Sequence, residues 1–191
     1  TDPGTALAGA TPRPAVWVTV EVAASPAVDH LESIGHKRIG LIVGPTRYPT
    51  ARAFLDGYRL GLERSGIGFD EHLVSETPWT LEGGQAGTAP LLERGVTGIV
   101  CSNDLMAVGA VAAAQTWGAS VPLDLAVSGF DGSPLVAFTD PPLTTLRQPA
   151  APMATEIASL LVGDHRDQVG LRTQRYRAEL VIGRSTGRPS R

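Results

Sequence analysis

The chain has 191 residues, 42% of them hydrophobic and 18% charged, with 16 Lys and Arg against 19 Asp and Glu. That composition can bury a core in one domain or two small lobes, and no apolar run is long enough to cross a bilayer. The formal net charge of -3 excludes the broad cationic surface of a free-standing DNA-binding module, and the single Cys101 excludes an internal disulfide or a multi-cysteine metal site.

The opening, Thr1 to Pro14, mixes Gly, Pro, Thr and Ala without periodicity and without the charged and apolar regions of a signal peptide. It reads as loop or linker, and export is unsupported. Ala15 to Val20 is short and β-branched, as a strand requires. Ala24 to Ile34 has helical spacing closed by Gly35, and Ile39 to Val43 is an apolar strand. A helix follows from Thr50 to Arg64, with Phe54, Leu55, Tyr58 and Leu62 on one face and Gly66 at its end. Then come a strand around His72 to Glu76, a helix Leu81 to Arg94, a strand Gly98 to Ser102, a helix Asp104 to Trp117 and a strand Leu125 to Phe130. Several of these strands are continuous apolar runs, the mark of a parallel sheet covered on both faces, so the fold class is α/β. After Asp140-Pro141-Pro142 the pattern predicts a short extended piece at Leu143 to Leu146, a helix Met153 to Leu161 and a last alternating strand Arg177 to Ile182. Arg184 to Arg191 reads, like the start, as irregular chain.

No segment carries a P-loop with its Lys, an HExxH, a GxSxG or a spaced His/Cys cluster, so neither a metal nor a cofactor is expected. His30 and His36 flank a helix end, His72 precedes a strand and His165 lies in a polar turn; capping or surface roles suffice for all four. Asp104 and Asp131 each follow a predicted strand. There, doubly wound folds gather ligand-binding groups, so hydrogen bonding to a ligand is a simpler role than a catalytic dyad.

Several motifs occur in a fixed order. They are His30-Leu31, Ile34-Gly35-His36-Lys37-Arg38-Ile39-Gly40 with Gly44-Pro45, then Gly57-Tyr58, then Cys101-Ser102-Asn103-Asp104-Leu105-Met106-Ala107-Val108-Gly109. Val121-Pro122 through Ser128-Gly129-Phe130-Asp131, Pro141-Pro142-Leu143-Thr144-Thr145-Leu146-Arg147-Gln148-Pro149, and Glu179 to Thr186 follow. Over roughly residues 16 to 187 this series resembles the effector-binding domain of LacI/GalR-type transcription regulators.

The resemblance implies a periplasmic-binding-protein-like fold of two lobes with parallel doubly wound sheets and a small effector between them. Residues 15–46 and 140–191 would belong to the N-terminal lobe and the crossovers, and 47–139 to the C-terminal lobe. It also implies a homodimer in the cytoplasm, no contact with membrane, and operator DNA held only through a helix-turn-helix headpiece. That headpiece and the first β-α-β-α stretch of the N-terminal lobe have no counterpart in this sequence, so that lobe is expected to be incomplete. The candidate ligand-binding residues are Thr50, Phe54, Trp79, Asn103, Asp131 and Gln148. Trp79 offers an indole face to a sugar ring or a nucleobase, Asn103 both donor and acceptor, and Asp131 two acceptor oxygens. Capping competes as a role for Asn103 and for Thr50, and packing of the next helix for Trp79. Phe54 departs from the family, many of whose members place an effector-gripping arginine there; an aromatic favours stacking. The helix Leu105 to Trp117, rich in Ala and Val, is a candidate pairing surface, unless its small residues simply cover the sheet. Two other classes remain, an exported sugar-binding protein of the same fold and, behind it, an α/β enzyme using Asp104 and Asp131.

Overall fold

A computed structural model describes residues 15–18, 24–162 and 173–190. The expectations for Thr1 to Pro14 and for His165 lie outside the described residues. In chain order the elements are β1 (Ala15–Val18), α1 (Ser25–Ser33), β2 (Ile39–Val43), α2 (Pro49–Arg64), β3 (Val74–Glu76), α3 (Leu81–Glu93), β4 (Gly98–Cys101) and α4 (Asp104–Trp117). They continue with β5 (Ala126–Asp131), β6 (Thr144–Arg147), α5 (Ala150–Val162), β7 (Thr173–Tyr176) and β8 (Glu179–Val181). Short 3-10 turns at Glu71–Leu73 and Pro134–Phe138 lead into β3 and follow β5.

Six strands form one sheet in the order β3-β2-β4-β5-β6-β8, parallel throughout except that β8 runs antiparallel to β6. Alternation along the strands feeds two cores. Ile39, Leu41, Val43 and Val100 meet Ala27, Leu31, Phe54 and Tyr58 of α1 and α2 on one face, whereas Ile42, Ile99, Cys101 and Val127 meet Leu91, Met106 and Ala110 of α3 and α4 on the other. This is the two-sided cover that continuous apolar strands demand. The sheet does not respect the boundary expected after residue 46, because β2, β6 and β8 join it alongside elements from 47–139. All five residues of β2 are buried, so its backbone needs a hydrogen-bonded strand on each side. A separate pair, β1 parallel to β7, lies with α5 against β1.

Helices α3 and α4 pack closely because glycine stands at their crossing. A Cβ on Gly84 would lie 2.1 Å from the Met106 carbonyl oxygen, and one on Gly109 would lie 2.0 Å from that of Leu81. The small residues of α4 are thus spent on α3, inside the chain. The stretch after β8 is irregular, as expected, yet closely held: Ser185 is buried, its Oγ donates to the Val127 carbonyl at 2.6 Å and accepts from the Thr144 N–H at 2.8 Å.

Candidate ligand-binding edge of the sheet

The five parallel strands end on one edge of the sheet, so the residues that follow them gather there whatever their distance in sequence. After β2 come Gly44 and the loop to α2; after β3, Thr77 to Thr80; after β4, Ser102 and Asn103; at the end of β5, Asp131; after β6, Gln148.

Asp131 and Gln148 are brought into contact. The Gln148 Nε2 donates to Asp131 Oδ1 at 2.6 Å, and the Gln148 backbone N–H donates to the Asp131 carbonyl at 3.2 Å. Asp131 sits at φ 116°, a conformation costly for any residue with a Cβ and of the kind that collects at ligand sites. Its side chain keeps an exposed face, while the protein around it removes enough water to raise the pKa to about 6. The Gln148 amide opposes that rise and the Asp104 carboxylate adds to it. The next residue, Gly132, is at φ 71°, and a Cβ there would lie 2.6 Å from the Arg147 backbone.

Asp104 has a different task from the one expected. It is 4% exposed, its Oδ1 accepts from the Thr145 hydroxyl at 2.6 Å, and its Oδ2 accepts from the Ser133 N–H at 2.7 Å. Burial raises its pKa and these hydrogen bonds oppose the rise. With both oxygens engaged inside the protein, Asp104 ties β5, β6 and the intervening loop together. Its carboxylate is committed to hydrogen bonds within the protein.

Asn103 caps α4, its Oδ1 accepting from the Met106 N–H at 2.8 Å, which leaves the amide nitrogen as the group it presents at the edge. Trp79 is half-buried and touches both cores. Its Nε1 donates to Ser102 Oγ at 3.2 Å, and its indole lies so close over Gly44 that a Cβ there would be 1.9 Å from Trp79 Cε2. Ser102, which sequence reasoning missed, also accepts from the Gly44 N–H at 3.2 Å and donates to the Met106 sulfur at 3.4 Å. Its only signal in the sequence was a hydroxyl placed between an apolar strand and a helix cap.

Two candidates lie on α2, in the turns that follow the loop from β2. Phe54 is 2% exposed and meets Phe130 edge-on, ring centroids 5.5 Å apart, so it fills the core rather than presenting a face for stacking. Thr50 is exposed in the first turn of α2; the N-cap is Tyr48, followed by Pro49, so Thr50 does not cap. His36 and His30 also depart from expectation, whereas His72 is exposed just before β3, as expected. His36 is buried, with Nε2 donating to the Gly187 carbonyl at 2.8 Å and Nδ1 accepting from the Thr97 hydroxyl at 2.9 Å. His30 Nε2 lies 2.9 Å from the Thr186 hydroxyl. Burial lowers the pKa of both, that of His30 further through its neighbour His36. Among the described residues, no three His, Cys, Asp or Glu side chains could hold a metal ion, and no helix is long and apolar enough to cross a membrane.

Comparison with known proteins agrees with this arrangement. Residues 28–186 match the model of the periplasmic binding protein-like domain. A helix-turn-helix-type transcriptional regulator in the aml 5' region of Streptomyces limosus is 49% identical over 164 residues, 84% of this chain and 47% of that protein. Among solved structures, a sugar-binding transcriptional regulator of the LacI family from Escherichia coli, complexed with phosphate, superposes with a TM-score of 0.82 at 31% identity, covering 91% of this chain and 63% of that one. The transcriptional regulator CelR in complex with cellobiose gives a TM-score of 0.86 at 31% identity, covering 92% and 54%. The chain spans about half the length of the curated relatives it matches.

Proposed function

Since the chain belongs to the periplasmic-binding-protein-like family, as an effector-binding domain of the LacI type, we propose that it senses a small sugar for a transcription regulator. The sugar would change how the regulator grips operator DNA through a helix-turn-helix headpiece outside this chain. The observation that carries this reading is the convergence of Asp131, Gln148, Asn103 and Trp79 on the carboxyl edge of one parallel sheet. A carboxylate accepting two hydrogen bonds, an amide nitrogen donating one and a fixed indole are the groups that neighbouring sugar hydroxyls and an apolar ring face require. The relatives named as transcription regulators, one holding cellobiose, favour this reading over an exported binding protein. The committed oxygens of Asp104 count against the enzyme reading.

Pairing of two copies belongs to the same proposal. Leu105 on the outer side of α4 and Leu135 and Phe138 on the following 3-10 turn are exposed, the last by 86%. The Asp104 carboxylate at the start of α4 accepts from the Ser133 N–H at 2.7 Å, so Leu105 and the turn that begins at Pro134 are neighbours and their apolar groups can form one patch for a second copy. The test of the sensor is a thermal-shift series with mono- and disaccharides, because a ligand of the native state raises the melting temperature with ln(1 + [L]/Kd). A saccharide that shifts the chain and fails to shift Asp131→Ala supports the proposal. A chain that melts cooperatively and responds to no saccharide refutes it.

A further inference from the structure

We infer that Asp104, buried beneath the sheet edge, is a positioning residue for Asp131: through a relay of three hydrogen bonds it holds the backbone of Asp131 and Gly132 at positive φ and so keeps the Asp131 carboxylate on the edge beside Gln148. Only the identity of what that carboxylate then binds rests on the sugar-sensing reading above. The Ser133 N–H donates to Asp104 Oδ2 at 2.7 Å. The Gly132 N–H donates at 3.3 Å to the Thr145 hydroxyl, which donates in turn to Asp104 Oδ1 at 2.6 Å. Both amides that follow Asp131 are thus fixed, one directly and one through Thr145. These amides would turn if Asp131 left φ 116° or Gly132 left φ 71°. A residue with a Cβ persists at such a φ only where its surroundings over-determine it, and a carboxylate acceptor provides short, strong hydrogen bonds for the purpose.

Capping of α4 does not account for Asp104. Asn103 already accepts from the Met106 N–H, and both Asp104 oxygens turn instead to the loop and to β6. Nor does an ion pair: among the described residues no cation pairs with Asp104, so its burial is costly and only its donors offset it. The sequence makes room for the carboxylate. A Cβ on Gly129 would lie 2.3 Å from Asp104 Oδ1, and one on Gly132 would lie 2.6 Å from Arg147 Cα, so β5 is bare where the carboxylate passes and the loop lies flat on β6. The charged groups near Asp131 are Asp104 from α4, the exposed Arg147 in register on β6, and the exposed Glu179 beside Arg147 on β8. The Cys101 thiol, held neutral by burial, faces Asp104 from β4.

Amide hydrogen exchange and a carboxyl NMR titration of the chain without ligand test the relay. In the parent, Gly132 and Ser133 should be protected and Asp131 should titrate at about 6. Asp104→Asn is expected to speed exchange at both amides about tenfold or more. It should also bring the Asp131 midpoint down towards the ordinary carboxylate range, because water enters the loop and the neighbouring charge is gone. Thr145→Val, which keeps that charge and cuts the link, is expected to speed exchange at Gly132 and to lower the midpoint by less. Thr145→Ser is expected to restore the behaviour of the parent. Should Asp104→Asn fail to fold, the two Thr145 variants carry the test. Variants in which all amides speed up together while the Asp131 midpoint stays near 6 overturn the positioning role, since Asp104 would then support the fold and not the site. No readout involves a sugar, so a chain that shows the expected changes and binds no saccharide upholds the positioning role and overturns the sensing reading alone.

Discussion

Asp131 spends part of its free energy on being charged in a place that has lost some of its water. Its pKa, raised to about 6 chiefly by that loss, makes its contribution to folding fully present below the ordinary carboxylate value and lost as pH rises through 6. Hydroxyl donors from a ligand would relieve the charge, and they can do so only when the carboxylate is ionised. The melting-temperature increase given by a bound sugar should therefore be large at pH 7.5 and shrink as pH falls through 6. Asp131→Asn should abolish most of the increase and its pH dependence together; an increase unchanged from pH 7.5 to pH 5 would remove Asp131 from the site. The place of Asp131 at the sheet edge was legible because it ends a strand, whereas Trp79 and Gln148 entered through the resemblance and the structure puts them after β3 and β6. The role of His36 was not legible, because its partners, Thr97 and Gly187, lie 61 and 151 residues away and only the fold brings them near. Phe54 misled for the opposite reason: helical periodicity had already placed it on the buried face with Leu55, Tyr58 and Leu62, and burial excludes the stacking role inferred from its position in the motif.

Among the elements, the tightest junction is that of α3 with α4, where two glycines let the helices touch backbone to backbone. Gly109→Ala would drive a methyl group into the Leu81 carbonyl. Helix propensity alone favours that substitution by about 1 kcal/mol, while overpacking costs about 1–3 kcal/mol, so a net loss is expected in denaturant titration. A variant as stable as the parent would mean that the helices separate without penalty. Strands β2 and β4 and helix α4 were placed within a residue, since apolar runs and a capped, uninterrupted helix leave little choice. Strand β7, with the polar sequence TQRY, was missed: what makes it a strand is its pairing with β1, not its composition. Helix α5 begins at Ala150 rather than Met153, because Pro152 falls within the first turn, where a missing N–H costs nothing.

For the molecule as a whole, the exposed Phe138 and Leu135 belong to the surface proposed to pair with a second copy. Phe138→Glu should leave the melting of the dilute chain nearly unchanged and shift its sedimentation from dimer towards monomer. A parent chain that sediments as a monomer at high concentration would refute the pairing face. The stretch from Gly183 to Ser190 has a separate consequence, for the order in which the chain becomes a protein. Its Ser185 completes the hydrogen bonding of Val127 and Thr144, 58 and 41 residues earlier, and its Gly187 and Thr186 hold His36 and His30, 151 and 156 residues earlier. Contacts of such sequence separation are slow to form and are absent until this stretch has been made and has docked. The central strands of the sheet therefore assemble before they are latched, and the latch is this irregular stretch rather than any strand or helix.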